Sequence, residues 1–229
     1  QLRSGGDFTY RAVDKENLVV DSLSISGVSQ LINEGVSNVK VFNSDKDMMV
    51  VTYDGSYCTN NSKVDENKLL IHFGVDQVEF FDFTVRPDIK VEIYSNSLDT
   101  LINKGTGYIN GEDTAERASL YVLNEGVGSV DFSTRAKSVV AKNRGLGSLD
   151  LFGLTNELFA INEGVGSVNT KKLVALNVKA RNSGVGSVAV YASDSLDLAN
   201  DGVGSLRYSG SGKVYAERNA GIGSVKREK

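Results

Sequence analysis

Asp131 and Asp150 occupy equivalent places in successive copies of a short repeat, which makes them the first candidates for chemistry in this chain. Carboxylates on adjacent strands would sit about 5 Å apart, close to a retaining glycosidase pair and suited to calcium. The same outward column continues as Asn169, Ala189, Arg207 and Lys226, so the acidic stretch is only two repeats deep. A solvated surface pair is the expectation. His72 is the only histidine, which excludes a multi-histidine zinc site and disfavours a hydroxyl–imidazole triad, and it is expected on a strand surface. Cys58 is the only cysteine and has no His near it at metal-ligand spacing. The recurring Gly-x-Gly-Ser lacks the Lys and following helix of a phosphate loop and the Asp of a calcium nonapeptide. No catalytic, cofactor-binding or metal-binding residues are therefore assigned, and the chain is expected not to be an enzyme.

Contact chemistry is better represented. Tyr121, Leu123, Val140, Phe159 and Ile161, with Ile102 beside them, fall at strand positions expected to face outward on consecutive repeats. The equivalent later places are Lys179, Arg181, Asp197 and Ala199. A large apolar patch of this kind needs a cover. The candidates, in order, are the segment Asn43 to Pro87 folding back, a second copy of the chain in a homo-oligomer, and a ligand.

These side chains are positioned by seven copies of Asn-x-Gly-x-Gly-x-[Val/Leu/Ile], beginning at Asn103, Asn124, Asn143, Asn162, Asn182, Asn200 and Asn219, with a looser copy at Asn33. A strand-rich period of 18 to 21 residues specifies a solenoid whose rungs bury their apolar faces against one another. The fold expected is an all-β, right-handed parallel β-helix. Four and two residues before each Asn lie apolar pairs such as Leu120 and Val122, or Leu158 and Ala160, interleaved with mixed residues. Such alternation marks a half-buried strand. A second strand begins six residues after the Asn, with Phe132, Leu151, Thr170, Val190 and Tyr208 at its next inward place.

Stacked at the strand spacing, identical residues form ladders. The Asn is expected to turn the corner, tolerating left-handed backbone and bonding to the amides above and below. The aliphatic residue between the glycines (Val127, Leu146, Val165, Val185, Val203, Ile222) is expected to point inward. Just after the Asn, the signs alternate through Lys104, Glu125, Arg144 and Glu163, which opposes a one-rung slip.

One domain spanning 1–229 is expected, with irregular rungs and a cap over 1–100 and regular repeats over 101–229. Gln1 to Val20 is the candidate cap. The period lapses between Asn33 and Asn103, although Met49 to Tyr53, Leu69 to Ile71 and Val91 to Tyr94 still read as strands, and the polar stretch Gly55 to Asn67 as a protruding loop. A net charge of −4, with 25 basic and 29 acidic residues, gives no general attraction to nucleic acid or anionic membrane. No apolar run is long enough to cross a bilayer as a helix, and no export signal opens the sequence at Gln1.

The strand pattern from Leu23 to Val41, the Met49 to Tyr53, Leu69 to Ile71 and Lys90 to Tyr94 strands, and the Gly-Val-Gly-Ser repeats together resemble the bacterial putative auto-transporter adhesins with a head GIN domain, and related adhesin solenoids. The resemblance covers nearly the whole chain from about residue 20. It implies a β-helix, export, and a cell-surface or periplasmic role with an unknown protein or glycan as partner and no catalytic residues to carry over. A polysaccharide-binding or polysaccharide-cleaving β-helix is the alternative.

Overall fold

The computed structural model describes residues 17–76 and 88–229. The first half contributes β1 (Leu18–Ser24), β2 (Gln30–Asn33), β3 (Asn38–Phe42), β4 (Met48–Asp54), β5 (Cys58–Asn60), β6 (Lys63–Asp65), β7 (Lys68–Ile71), β8 (Phe73–Val75), β9 (Lys90–Tyr94) and β10 (Thr100–Asn103). Long strands follow: β11 (Ile109–Asn124), β12 (Val130–Asn143), β13 (Ser148–Asn162), β14 (Val165–Asn182) and β15 (Val185–Asn200). Then come β16 (Val203–Ser209), β17 (Lys213–Asn219) and β18 (Ile222–Arg227). Sixteen of these strands belong to one sheet, wound as a parallel β-solenoid of about seven turns.

Each long strand continues from the second strand of one repeat into the first strand of the next, so strand pairing superimposes the repeats residue on residue. Asn124 faces Asn143, Asn143 faces Asn162, and Asn162 faces Asn182. The inward positions read from the sequence are filled as expected: Leu120, Val122, Val139, Ala141, Leu158 and Ala160 are buried, as are Phe132, Leu151, Thr170 and Val190. Burying each large aliphatic or aromatic side chain contributes about 1.5–3 kcal/mol. Because parallel strands stacked in one direction share a single interior, this apolar column is continuous from rung to rung.

The corner is built by an amide ladder. Every repeat Asn from Asn33 to Asn200 is buried and donates through Nδ2 to the Oδ1 of the next, ending on Asn219, at 2.9 to 3.1 Å. The other Nδ2 hydrogen satisfies the turn's own carbonyl, at Ser37 for Asn33, Gly107 for Asn103 and Gly128 for Asn124. The Asn itself is not in a left-handed conformation: among the described residues the only non-glycine positive φ angles are at Asp47 and Glu66, and in the corner positive φ falls on the second glycine, as at Gly166, Gly186, Gly204 and Gly223. The amide is there for its paired donor and acceptor. Both corner glycines are required by the approach of neighbouring rungs, since a Cβ on Gly128 would overlap the carbonyl of Gly107, and one on Gly145 that of Gly126.

The residue between those glycines corrects a second expectation. Val127, Leu146, Val165, Val185, Val203 and Ile222 point outward and are 46 to 74% exposed. With both flanking glycines pressed against the rung beneath and the Asn turned in, alternation leaves the middle side chain only the solvent side.

Below Asn103 the rungs are not stacked in chain order. β2 lies between β7 and β10, and β3 between β9 and β11, all parallel. The chain therefore builds its second rung first, descends to make the rung beneath, and returns above. Antiparallel strands close that end: β4 pairs with β9 and β1 with β4, while β6 pairs with β7. The polar stretch read as a protruding loop instead contains β5 and β6, with Cys58 buried against the core. Within the segment read as a cap, the described part enters β1, which pairs along its whole length with β4, from Leu18 opposite Asp54 to Ser24 opposite Met48. Residues 1–16 of the candidate cap, and Pro87, lie outside the described residues.

Candidate functional site

The apolar residues singled out from the sequence belong to two outward columns on the sheet that precedes the Asn corner. One runs Tyr121, Val140, Phe159, Lys179, Asp197 and the other Ile102, Leu123, Lys142, Ile161, Arg181. Strand pairing brings Tyr121, Val140 and Phe159 into direct succession. Lys142 separates Leu123 from Ile161, so the patch is one continuous column with a broken second one. Tyr121, Val140, Phe159 and Ile161 are half-buried, and Leu123 is buried. The expected change to charge is also seen, as Arg181 bridges to Asp197 at 3.0 Å.

An open trough of about 510 Å³ continues this face toward the C-terminal rungs. Val140 and Phe159 line its apolar part and Tyr215, on β17, stands at its far end. A polar ladder forms the neighbouring column: Asn177 donates to Glu157 at 2.8 Å, and Ser195 donates to Asn177 at 2.6 Å. Tyr215 is 72% exposed and Lys213 lies 5.7 Å from its ring centre. It escaped the sequence reading because it sits where the register shifts between Leu196 and Asp197, which takes it out of the repeat's alternation. Among the described residues, the trough is lined by β12 to β15 and β17, while the described part of Asn43 to Pro87 stacks at the opposite end as β4 to β8.

Asp131 and Asp150 are register partners, as the spacing required. Burial, and then the Asp150 charge beside it, push the Asp131 carboxyl above its ordinary range. Among the described residues no group of three or more His, Cys, Asp and Glu is arranged to hold a metal. His72 is exposed, between β7 and β8. A pair the sequence did not reveal is Asp113 with Arg117, a buried ion pair that spans the register shift of β11 between Glu112 and Glu116, with Asp113 inside it and Arg117 just after it. Burial lowers the Arg117 pKa, against the raising influence of Asp99.

Three of the four alternating corner charges, Glu125, Arg144 and Glu163, are joined. Arg144 bridges to Glu163 at 3.0 Å and to Glu125 at 3.7 Å, and Lys142 adds a second bridge to Glu163 at 3.1 Å. Burial alone would raise the Glu163 pKa, but the hydrogen bonds from Arg144 and Lys142 outweigh it and hold the carboxyl below its usual range.

Fold and surface together define a laddered β-solenoid whose outward side chains stand in strand-borne columns. The chain belongs to the family described as putative auto-transporter adhesin, head GIN domain, whose model matches residues 27–212. Among solved structures it is similar to a putative adhesin from Bacteroides fragilis, with 23% identity, a TM-score of 0.81, and 93% of this chain and 98% of that chain covered. It is also similar to a putative lipid binding protein from Parabacteroides distasonis (18% identity, TM-score 0.69, 94% and 98% covered) and a putative adhesin from Parabacteroides merdae (18%, 0.67, 94% and 98%). These likenesses show the fold. A comparison with curated proteins returned no match.

Proposed function

We propose that this protein is a non-enzymatic adhesion or scaffold module that works at the cell surface, outside the cell or in the periplasm, and engages its partner through the face bearing Tyr121, Leu123, Val140, Phe159 and Ile161. The observation that carries this is the trough that extends the face to Tyr215, with aromatic and aliphatic side chains alongside the Glu157–Asn177–Ser195 ladder. Strand-borne side chains need little ordering on binding, and an open, elongated trough suits an extended glycan or protein segment better than a small metabolite. Membership of the adhesin family supports the same role.

The test is a binding screen of the purified protein against glycans and envelope or host proteins, with polysaccharide cleavage assayed in parallel. Vesicles belong in the screen because one structural neighbour is described as a putative lipid binding protein. Saturable binding without cleavage is expected, weakened at least about tenfold by Phe159→Lys at an unchanged unfolding midpoint. Binding indifferent to Phe159→Lys would move the site elsewhere. Cleavage lost in an Asp131→Asn, Asp150→Asn double variant would make the protein a polysaccharide-active enzyme instead.

A further inference from the structure

The outward aliphatic residue of every corner creates a second surface, on a different edge of the solenoid. Val36, Val127, Leu146, Val165, Val185, Val203 and Ile222 lie one above another, with Thr106 completing the column, and the seven aliphatics are 44 to 74% exposed. At about 4.8 Å per rung the eight positions span about 34 Å. Stack stability does not demand this chemistry, because Thr106 fills the same place with a polar side chain in an intact rung. Six large aliphatics left in solvent at equivalent places after Thr106 are better explained by something they contact.

The charges beside the ridge say what that is. The adjoining column reads Glu34, Lys104, Glu125, Arg144, Glu163, Ser183, Asp201 and Ala220. A shallow groove lined by Glu34, Val36, Lys104, Thr106, Glu125 and Val127 joins the two columns, so both border one surface. Numbered from the Asn33 corner, the odd rungs are all acidic and the even rungs are basic or neutral. A two-fold axis between rungs pairs odd with even, giving opposite charges or charge against neutral at every contact. An axis on a rung pairs acid with acid and base with base.

We propose that this ridge is a two-fold interface between two copies of the chain, their solenoids antiparallel, with the axis between the fourth and fifth rungs. That position gives full overlap of eight rungs and falls between Arg144 and Glu163. Arg144 then faces the partner's Glu163, Lys104 faces the partner's Asp201, and Glu125 faces the partner's Ser183. Leu146 packs on the partner's Val165 and Val127 on the partner's Val185. A contact about 34 Å long and about 15 Å wide buries roughly 1,000 Å² in total, at the lower bound for a specific association. An anionic membrane is a poorer occupant, because the flanking charges alternate and carry no net positive field.

Sedimentation equilibrium tests this directly. The wild-type protein is expected to approach twice its 24.6 kDa mass at concentrations up to about 100 µM, as befits a small interface. Val165→Lys, at an exposed position, should leave the chain monomeric with its unfolding midpoint in dilute solution unchanged. Arg144→Glu should raise the dimer dissociation constant more than tenfold, and adding Glu163→Arg should restore it. A wild-type protein that remains monomeric, or a dimer indifferent to Val165→Lys, overturns the proposal. So does an Arg144→Glu defect that Glu163→Arg fails to repair. A monomer that instead co-sediments with phosphatidylcholine vesicles through the same residues overturns it in favour of a lipid surface.

Discussion

The regular stack from Asn103 onward and the part from Leu18 to Ile102 share one core but are held by different means. In the first, each rung repeats the same corner, so amide and glycine ladders cross every boundary in register, and charge pairs join Glu125, Arg144 and Glu163. In the second, the chain crosses over itself, uses antiparallel strands, and turns through Asp47 and Glu66 in left-handed conformations that cost non-glycine residues energy. Only the first could grow by adding identical rungs. The irregular part ends the stack, because antiparallel β1, β4 and β6 cannot template another parallel turn.

The largest expected difference between the regions is at glycine. Gly186→Ala should destabilise by more than about 3 kcal/mol, since its Cβ would overlap the Gly166 carbonyl and its φ is +140°. Gly27→Ala, at φ +79° with open space around the new atom, should cost only about 1 kcal/mol. Urea unfolding of the two variants compares them, and equal losses would dissolve the distinction. Next comes Asn162→Leu, which removes two ladder bonds in mid-stack and leaves buried partners unpaired, at a cost of about 1–3 kcal/mol. Asn219→Leu, at the last ladder position and exposed, should cost measurably less.

The charge column predicts a pH effect. A folded-state pKa held below the unfolded value means that Glu163 contributes stability above the ordinary carboxylate pKa of 4.5, lost as pH falls through its folded value. Arg144→Gln should therefore flatten the stability loss below about pH 4.5, an effect readable by acid titration of the unfolding midpoint. The smallest effect has the opposite sign. The raised pKa of Asp131 means its charged form is disfavoured in the folded chain, so Asp131→Asn should slightly raise the midpoint at neutral pH. That gain should vanish as pH falls far enough to protonate the carboxyl. A loss of stability on substitution, or one requiring calcium, would mark the pair as a cation site.

The repeat from Asn103 onward was legible because its period, strand alternation and inward residues are local properties, and identical residues one period apart must superimpose once parallel pairing is granted. The family resemblance was carried by the same pattern, and the match over residues 27–212 bears it out. The first outward column was equally legible, since alternation alone put Tyr121, Val140 and Phe159 on one face, where strand pairing also places them, whereas Leu123 of the second, expected to face outward, is buried. What alternation missed is instructive. Val127 and its equivalents sit in a corner where the two glycines meet the rung below by their backbones, a contact between chain segments about twenty residues apart that fixes which way the intervening side chain must turn. Tyr215 was displaced by a shift of register, which depends on how β17 meets β15. The crossover that seats β2 between β7 and β10 was invisible for the same reason, since β7 carries no Asn-Gly phrase and only burial of Leu31, Leu69 and Leu101 in one interior selects it. Sequence alone determined what each rung is made of, because period and polarity act through neighbouring residues. The order of the first rungs, the direction of the corner aliphatics and the shape of the trough were decided by contacts between distant segments, which no local pattern encodes.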